Sequence, residues 1–212
     1  MRYGMYPMFP KMVDHLKERK GERFALRTFE VSEQDADMMH FRDALNRQTE
    51  YVGFTAGTYI KLVDTVEGQV VMSDTAMEKR TNVEAYEKAT GHVLIGGLGL
   101  GMLLLAIQDK PEVTKITVLE KYQEVYDLVR PQLPLNDKVE VLIADVFDFV
   151  PPKDTLYDMI FMDIWSDLCA DNWEEYKTLC RRYAHWLNRT NPDCWYGAWR
   201  RDTIKALVGG RY

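Results

Sequence analysis

The stretch Val93-Leu94-Ile95-Gly96-Gly97-Leu98-Gly99-Leu100-Gly101 is the feature that most restricts what this chain can fold into. Three apolar residues run into a turn holding four glycines, and a second apolar run, residues 102–107, follows at once. Glycine tolerates left-handed backbone, and its missing side chain leaves the amides at a following helix N-terminus bare. The segment therefore reads as a buried strand, a sharp turn and a helix, with space for a ligand against the turn.

The same rhythm repeats to the end of the chain. Short, nearly wholly apolar strands are expected at 92–95, 115–119, 139–144, 157–162 and 194–199, with helices at 101–108, 121–132 and 172–188. Strand and helix alternating in this way predict an α/β, Rossmann-like, doubly wound and mostly parallel sheet of about five core strands over residues 91–212. Residues 1–90 read as an N-terminal extension. Within it a weakly alternating segment covers 23–31, and Ser32-Glu33-Gln34-Asp35 caps a helix running to about residue 46. Residues 58–65 and 69–73 form a hairpin across Val66-Glu67-Gly68. Thr75-Ala76-Met77-Glu78 reads as a second capping box, opening a helix that Gly91 closes in the left-handed conformation. A sheet this short leaves edges, so the hairpin or a second copy of the chain, as in a homodimer, is expected to supply an edge strand.

Composition narrows the partners. With 212 residues, 46% of them hydrophobic, the chain can bury a sizeable core. A formal charge of -6 argues against a nucleic-acid duplex, which is held mainly by Lys and Arg on phosphates. Arg181, Arg182, Arg200, Arg201 and Arg211 gather late in the chain and read as a solvated face. Cys169, Cys180 and Cys194 have no paired spacing, the start has no apolar h-region, and no run approaches the ~18 apolar residues of a membrane span, so the expected setting is cytoplasmic. His15, His40, His92 and His185 lack metal spacing, and no metal is expected. Trp173, Tyr176, Tyr183 and Trp186 recur at helical intervals and predict a face packed on the sheet.

Spacing separates cofactor classes. Gly97-x-Gly99-x-Gly101, with Met at 102, departs from the G-x-G-x-x-G of dinucleotide sites. Glu120 ends the next strand, nineteen positions after Gly101, where a carboxylate can accept hydrogen bonds from ribose hydroxyls. Asp145 and Asp163 end the third and fourth strands. Open parallel sheets bind ligands outside the carboxyl ends of their strands, so Gly97, Glu120, Asp145 and Asp163 are expected at one site.

On these residues, segment 91–163 resembles the class I S-adenosylmethionine-dependent methyltransferases and, more narrowly, the domain shared with spermidine synthases, whose lead-in is similar to hairpin 59–73. The resemblance implies S-adenosylmethionine as cofactor, with Gly97, Gly99 and Gly101 on the methionine portion, Glu120 on the ribose and Asp145 on the adenine amino group. Gly96 and Val146 complete the expected cofactor set. Asp163 is then the expected catalytic residue, orienting or deprotonating an amine or hydroxyl acceptor, and Trp165 a wall for an aromatic or cationic substrate. The expected activity is methyl transfer to a small molecule. Aminopropyl transfer is the alternative, although the acid of the GGGDGG loop in that family is replaced here by Gly99, and Asp163 and Asp167 stand four apart where that family has two acids three apart. A non-catalytic nucleoside-binding interaction module is the third reading, since Ile95 stands where many methyltransferases carry an acid. Asp163-Ile164-Trp165-Ser166 also lacks the Asn/Asp-Pro-Pro-Tyr/Phe signature of base methyltransferases.

Overall fold

The glycine turn closes the central strand of a five-stranded, wholly parallel sheet. The computed structural model describes residues 6–45 and 55–209. Before that sheet the chain builds a separate antiparallel one, in the order β1 (Arg19–Lys20), β2 (Phe24–Val31), β3 (Gly57–Asp64) and β4 (Gln69–Ser73). The expected hairpin is β3 and β4. It adds no edge strand to the parallel sheet, because β3 pairs with β2 along its whole length, from Phe24 opposite Asp64 to Val31 opposite Gly57.

Between β2 and β3 lies α1 (Glu33–Leu45), opened as expected. The Asp35 N–H donates to Ser32 Oγ (3.1 Å) while the Ser32 hydroxyl donates to Asp35 Oδ2 (2.7 Å). The expected end near residue 46 and the side chain of His40 lie outside the described residues, as does Arg211.

The second capping box does not form. Thr75 stands at the N-cap of α2 (Ala76–Thr81), but its hydroxyl meets Ser73 Oγ (3.1 Å) and makes no cap bond, while Glu78 is buried. The helix then breaks at Asn82 (φ -96°, ψ -1°), whose Nδ2 donates to the Glu78 carbonyl (3.0 Å), before α3 (Val83–Lys88) continues. Gly91 is left-handed as expected (φ +57°), yet it caps no helix. It starts β5, and a Cβ there would stand 2.0 Å from Asp158 Oδ2.

From here the chain alternates β5 (Gly91–Gly96), α4 (Met102–Ile107), β6 (Val113–Glu120), α5 (Gln123–Val129), β7 (Val139–Ile143), β8 (Met159–Met162), α6 (Asp171–Tyr183), β9 (Trp195–Ala198) and α7 (Arg201–Gly209). The strand order β7-β6-β5-β8-β9 reverses direction at β5, as in a Rossmann-like sheet. Burial alternates with the pleat. Val93, Ile95, Ile116 and Val118 pack with α4, α5 and the N-terminal sheet, whereas Leu94, Leu119, Ile160 and Met162 pack with Tyr176, Leu179 and Tyr183 of α6. Both faces are therefore covered, and the aromatic face expected around 173–186 lies on the second. α7 was not read from the sequence.

The first face binds the two sheets into one core, in which Phe24, Leu26, Ile60 and Met72 join Val93 and Ile116. Two carboxylates fix that junction, half-buried Glu124 and buried Asp74. Glu124 accepts the N–H groups of Arg23 (3.1 Å) and Phe24 (3.2 Å), and Asp74 those of Met12 (2.9 Å) and Ile60 (2.8 Å). Among the described residues no helix is long and apolar enough to cross a membrane.

At the opposite end of the sheet from the glycine turn, Asp158 accepts the His92 N–H and the side-chain amides of Asn188 and Asn191, each at 2.8 Å. Asp158→Ala leaves three donors without their acceptor, and the unfolding free energy in urea should fall by about 1–3 kcal/mol. A loss below about 0.5 kcal/mol, the range of ordinary surface changes, would show that this end of the sheet is held otherwise.

Candidate active site

The carboxyl ends of β5, β6, β7 and β8 open on a cavity of about 320 Å3. Its floor is set by a backbone contact that only glycine permits. Gly97 sits at φ +96°, and a Cβ there would come within 2.1 Å of the Asp163 carbonyl oxygen. The Asp163 N–H donates to the Gly96 carbonyl (2.8 Å), so the glycine turn and the end of β8 lie against each other.

The glycines divide by role. Gly97 and Gly99 line the cavity, whereas Gly96 and Gly101 do not. A Cβ on Gly96 would meet Met162 Sδ (2.8 Å) and Val146 Cγ1 (2.9 Å), and one on Gly101, the left-handed N-cap of α4, would meet Leu133 Cδ1 (2.2 Å). These two glycines serve packing. At Gly99 (φ +52°) the neighbour is Met72 Sδ, 2.4 Å from the absent Cβ, and the same sulfur accepts the Leu100 N–H at 3.3 Å. Met72, from β4, thus forms a wall over the turn. Among the described residues no acceptor meets the Gly99 N–H.

Glu120 is buried at the end of β6 and is tied to the turn. Its Oε2 accepts the Leu98 N–H (2.9 Å) and its Oε1 the Tyr122 N–H (2.8 Å). Burial raises its pKa, and these amides work against the rise. The contact to Tyr122 also delays α5, which starts at Gln123 rather than at the expected 121. Asp145, just past β7, pairs with Lys121 Nζ (2.9 Å) and accepts the Phe147 N–H (2.9 Å). Burial opposes its ionisation, but these two donors outweigh it and leave the carboxyl below its ordinary value. Val146 lines the cavity beside it.

Asp163 and Trp165 border the other end. No protein donor among the described residues reaches the Asp163 carboxylate, and burial pushes its pKa up to about 7. The buried Trp165 ring is anchored through Nε1 to Glu175 Oε2 (2.6 Å).

Several lining residues escaped the sequence reading. Glu78 reaches the cavity from α2, and its pKa is pushed up to about 8, first by burial and then by Asp163, against the pull of Trp199, Arg200 and the Ser73 backbone. Trp199 lies just beyond β9, buried, with its indole N–H on Thr81 Oγ1 (3.1 Å). Met72, Arg23 and Phe24 come from the antiparallel sheet. The only advance signal was the Thr75–Glu78 motif, which reads equally well as a cap. Gln69 Nε2 donates to Ser166 Oγ (3.0 Å), joining β4 to the loop after β8.

No family model and no curated protein matches the chain. Solved structures similar to it include NodS, an N-methyltransferase from Bradyrhizobium japonicum in complex with S-adenosyl-L-homocysteine, at 13% identity over 54% of this chain and 58% of that one (TM-score 0.43). The plantazolicin methyltransferase BpumL, also with that product bound, matches at 20% identity over 51% of this chain and 40% of its own (TM-score 0.39). The CcbJ methyltransferase from Streptomyces caelestis matches at 18% identity over 46% and 39% (TM-score 0.38). The chain thus spans between 39% and 58% of the lengths of these three proteins.

The Glu78 carboxyl generates a prediction with a definite sign. The folded protein keeps to about pH 8 a proton that the unfolded chain releases near its ordinary value of 4.5, so the group's contribution is fully present below that value and is lost as pH rises through about 8. Glu78→Gln removes this titration. The melting temperature of the variant relative to the unsubstituted protein should therefore climb between about pH 5 and about pH 8.5. A difference independent of pH would mean that Glu78 titrates normally.

Proposed function

We propose that this protein is an S-adenosylmethionine-dependent methyltransferase acting on a small molecule. The observation that carries the proposal is that the glycine turn and the acids ending three successive strands meet at one cavity, of a size able to hold a ligand of about 300 Å3 or more. Gly97, Gly99, Glu120, Asp145 and Val146 are the residues that would hold the cofactor. Glu120 suits a ribose diol, because each oxygen uses one acceptor position on a backbone N–H and keeps another free. The unmet Gly99 N–H at the turn suits a polar group on the methionine portion. Asp145, fixed by Lys121, suits an amino group on the adenine.

When bound, the cofactor supplies a methyl group on a sulfonium, open to in-line displacement. The protein's part in such a reaction is chiefly to hold donor and acceptor in attack geometry and to keep water out. Met72, Trp165 and Trp199 enclose the site, and Asp163, with no donor of its own, is the group that can orient an acceptor or take its proton. The absence of an acid at position 99 leaves nothing in the turn to hold the free amine of a decarboxylated donor, which favours methyl over aminopropyl transfer.

Calorimetric titration checks this directly. S-adenosylmethionine and S-adenosylhomocysteine should bind, NAD should not, and decarboxylated donor should bind more weakly than the intact one. Glu120→Ala should weaken binding of the first two by about 1–3 kcal/mol, the range for hydrogen bonds to a charged group. Binding of neither nucleoside would overturn the proposal, and unchanged affinity in Glu120→Ala would overturn the ribose assignment.

A further inference from the structure

Two carboxylates from distant parts of the chain line the same cavity, Glu78 from α2 and Asp163 from the end of β8, and the charge of Asp163 acts on Glu78. Trp165 and Trp199, both nearly fully buried, also line it. The other acids lining the cavity are already served, Glu120 by two amides, Asp145 by Lys121 and an amide, Asp64 by Arg23 and Glu175 by the Trp165 indole. Among the described residues no donor meets the Asp163 carboxylate. Two buried carboxylates side by side are costly unless a cation or protons compensate them. We propose that the Asp163 end of the cavity binds the acceptor as a protonated amine, with Glu78 and Asp163 as its anionic partners and the two indoles as apolar walls that favour a cation. The inference rests on the methyltransferase reading and adds the acceptor's chemical class together with Glu78.

The chemistry balances without a further reactant. An alkylammonium entering between the two carboxylates gives one proton to a carboxylate and becomes a neutral amine. Its nitrogen lone pair then forms the bond to the methyl carbon as the carbon–sulfur bond breaks and leaves its electron pair on sulfur. The sulfonium ends as a neutral thioether and the amine as a methylated ammonium. Both carboxyls hold protons more firmly than ordinary acids, Asp163 to about pH 7 and Glu78 to about pH 8, so each is a stronger base than a solvent-exposed carboxylate once ionised. Arg200 acts against the rise at Glu78, and Trp199 and the Ser73 backbone do the same. At the donor end both cations are already paired, Lys121 with Asp145 and Arg23 with Asp64.

The test uses protein saturated with S-adenosylhomocysteine and simple probes: n-butylamine and 1,4-diaminobutane as cations, n-butanol as the neutral isostere and butyrate as the anion. Calorimetry reads affinity, and fluorescence of the indoles reports entry. The amines should bind at least about 10-fold tighter than butanol, as expected for charged hydrogen bonds, with butyrate weakest. Glu78→Gln and Asp163→Asn should each erase that preference while affinity for S-adenosylhomocysteine stays within about 2-fold, since neither carboxylate bonds Gly97, Gly99, Glu120 or Asp145 and both substitutions leave the Asp163 backbone contact with the turn in place. Gln matches the protonated form that Glu78 favours, so the variant should fold. Equal binding of butanol and butylamine, or amine binding unchanged in both variants, overturns the inference. So does loss of S-adenosylmethionine affinity alone in the variants, which would mean that the acids serve the sulfonium instead. Failure of S-adenosylhomocysteine to bind the unsubstituted protein would instead sink the donor assignment, and amine titration of the protein without it would still read the acidic end.

Discussion

The contact on which the rest of the site depends is the meeting of the Gly97 backbone with the carbonyl of Asp163. A side chain at 97 would need the space within 2.1 Å of that oxygen, and the chain there adopts φ +96°, which side chains rarely tolerate. Because glycine fills the position, β5 and β8 stay in register to their last residues, Gly96 opposite Met162, and the turn leaves the sheet directly over the end of β8. Asp163 is thereby held where protein surrounds it and no backbone amide reaches it. Its raised pKa follows from the geometry of the strand ends rather than from any charged neighbour.

The cavity is not the work of the parallel sheet alone. The antiparallel sheet shares its core, and Glu124 on α5 accepts the amides of Arg23 and Phe24 at the start of β2. That anchorage carries β3 and β4 across the open side of the turn, so Met72 can close over Gly99. It also fixes the exit of β4 into α2. Buried Asp74 holds Ile60 of β3 and Met12 together one residue past β4, and the next turn of chain delivers Glu78 into the cavity. A hydrophobic core therefore sets the position of a carboxylate that pairs across the site.

Much of this was legible in the sequence, for physical reasons. The inner strands β5, β6 and β8, largely buried on both faces, read as apolar runs, and the half-exposed edge strands β7 and β9 were located from the alternation of strand and helix. The glycine turn and the acids at strand ends follow from the ligand-binding geometry of open sheets. What escaped was what depends on tertiary contact. Thr75-Ala76-Met77-Glu78 satisfies the pattern of a capping box, but the Thr75 hydroxyl has a nearer partner in Ser73, and Glu78 is free to turn inward. Gly91 has the conformation expected of a helix terminator, yet its role is to make space for Asp158. Gly96 and Gly101 belong to the glycine pattern but do not line the cavity, and side chains there would meet Met162, Val146 and Leu133. Trp199 reads as a strand residue until the strand is seen to end at Ala198.

The acids that line the cavity differ in what surrounds them, and that difference gives the cavity a direction. Glu120 and Asp145 are met by backbone amides and a lysine, donors already placed by the fold, so each can hold a neutral hydroxyl or amino group as a fixed acceptor. Burial outweighs the pull of Trp199, Arg200 and the Ser73 backbone at Glu78, and no donor among the described residues meets Asp163, so they keep their protons to about pH 8 and about pH 7. A buried acid without donors costs stability in the free protein, and such local violations persist where a ligand, when present, removes the cost. Satisfied acids at the turn end suit a nucleoside whose hydrogen bonds are neutral. Acids with raised pKa values at the far end suit a ligand that brings its own positive charge and can leave a proton behind. On the proposed reading, one cavity with two such ends would take two different molecules, with the transferred group between them.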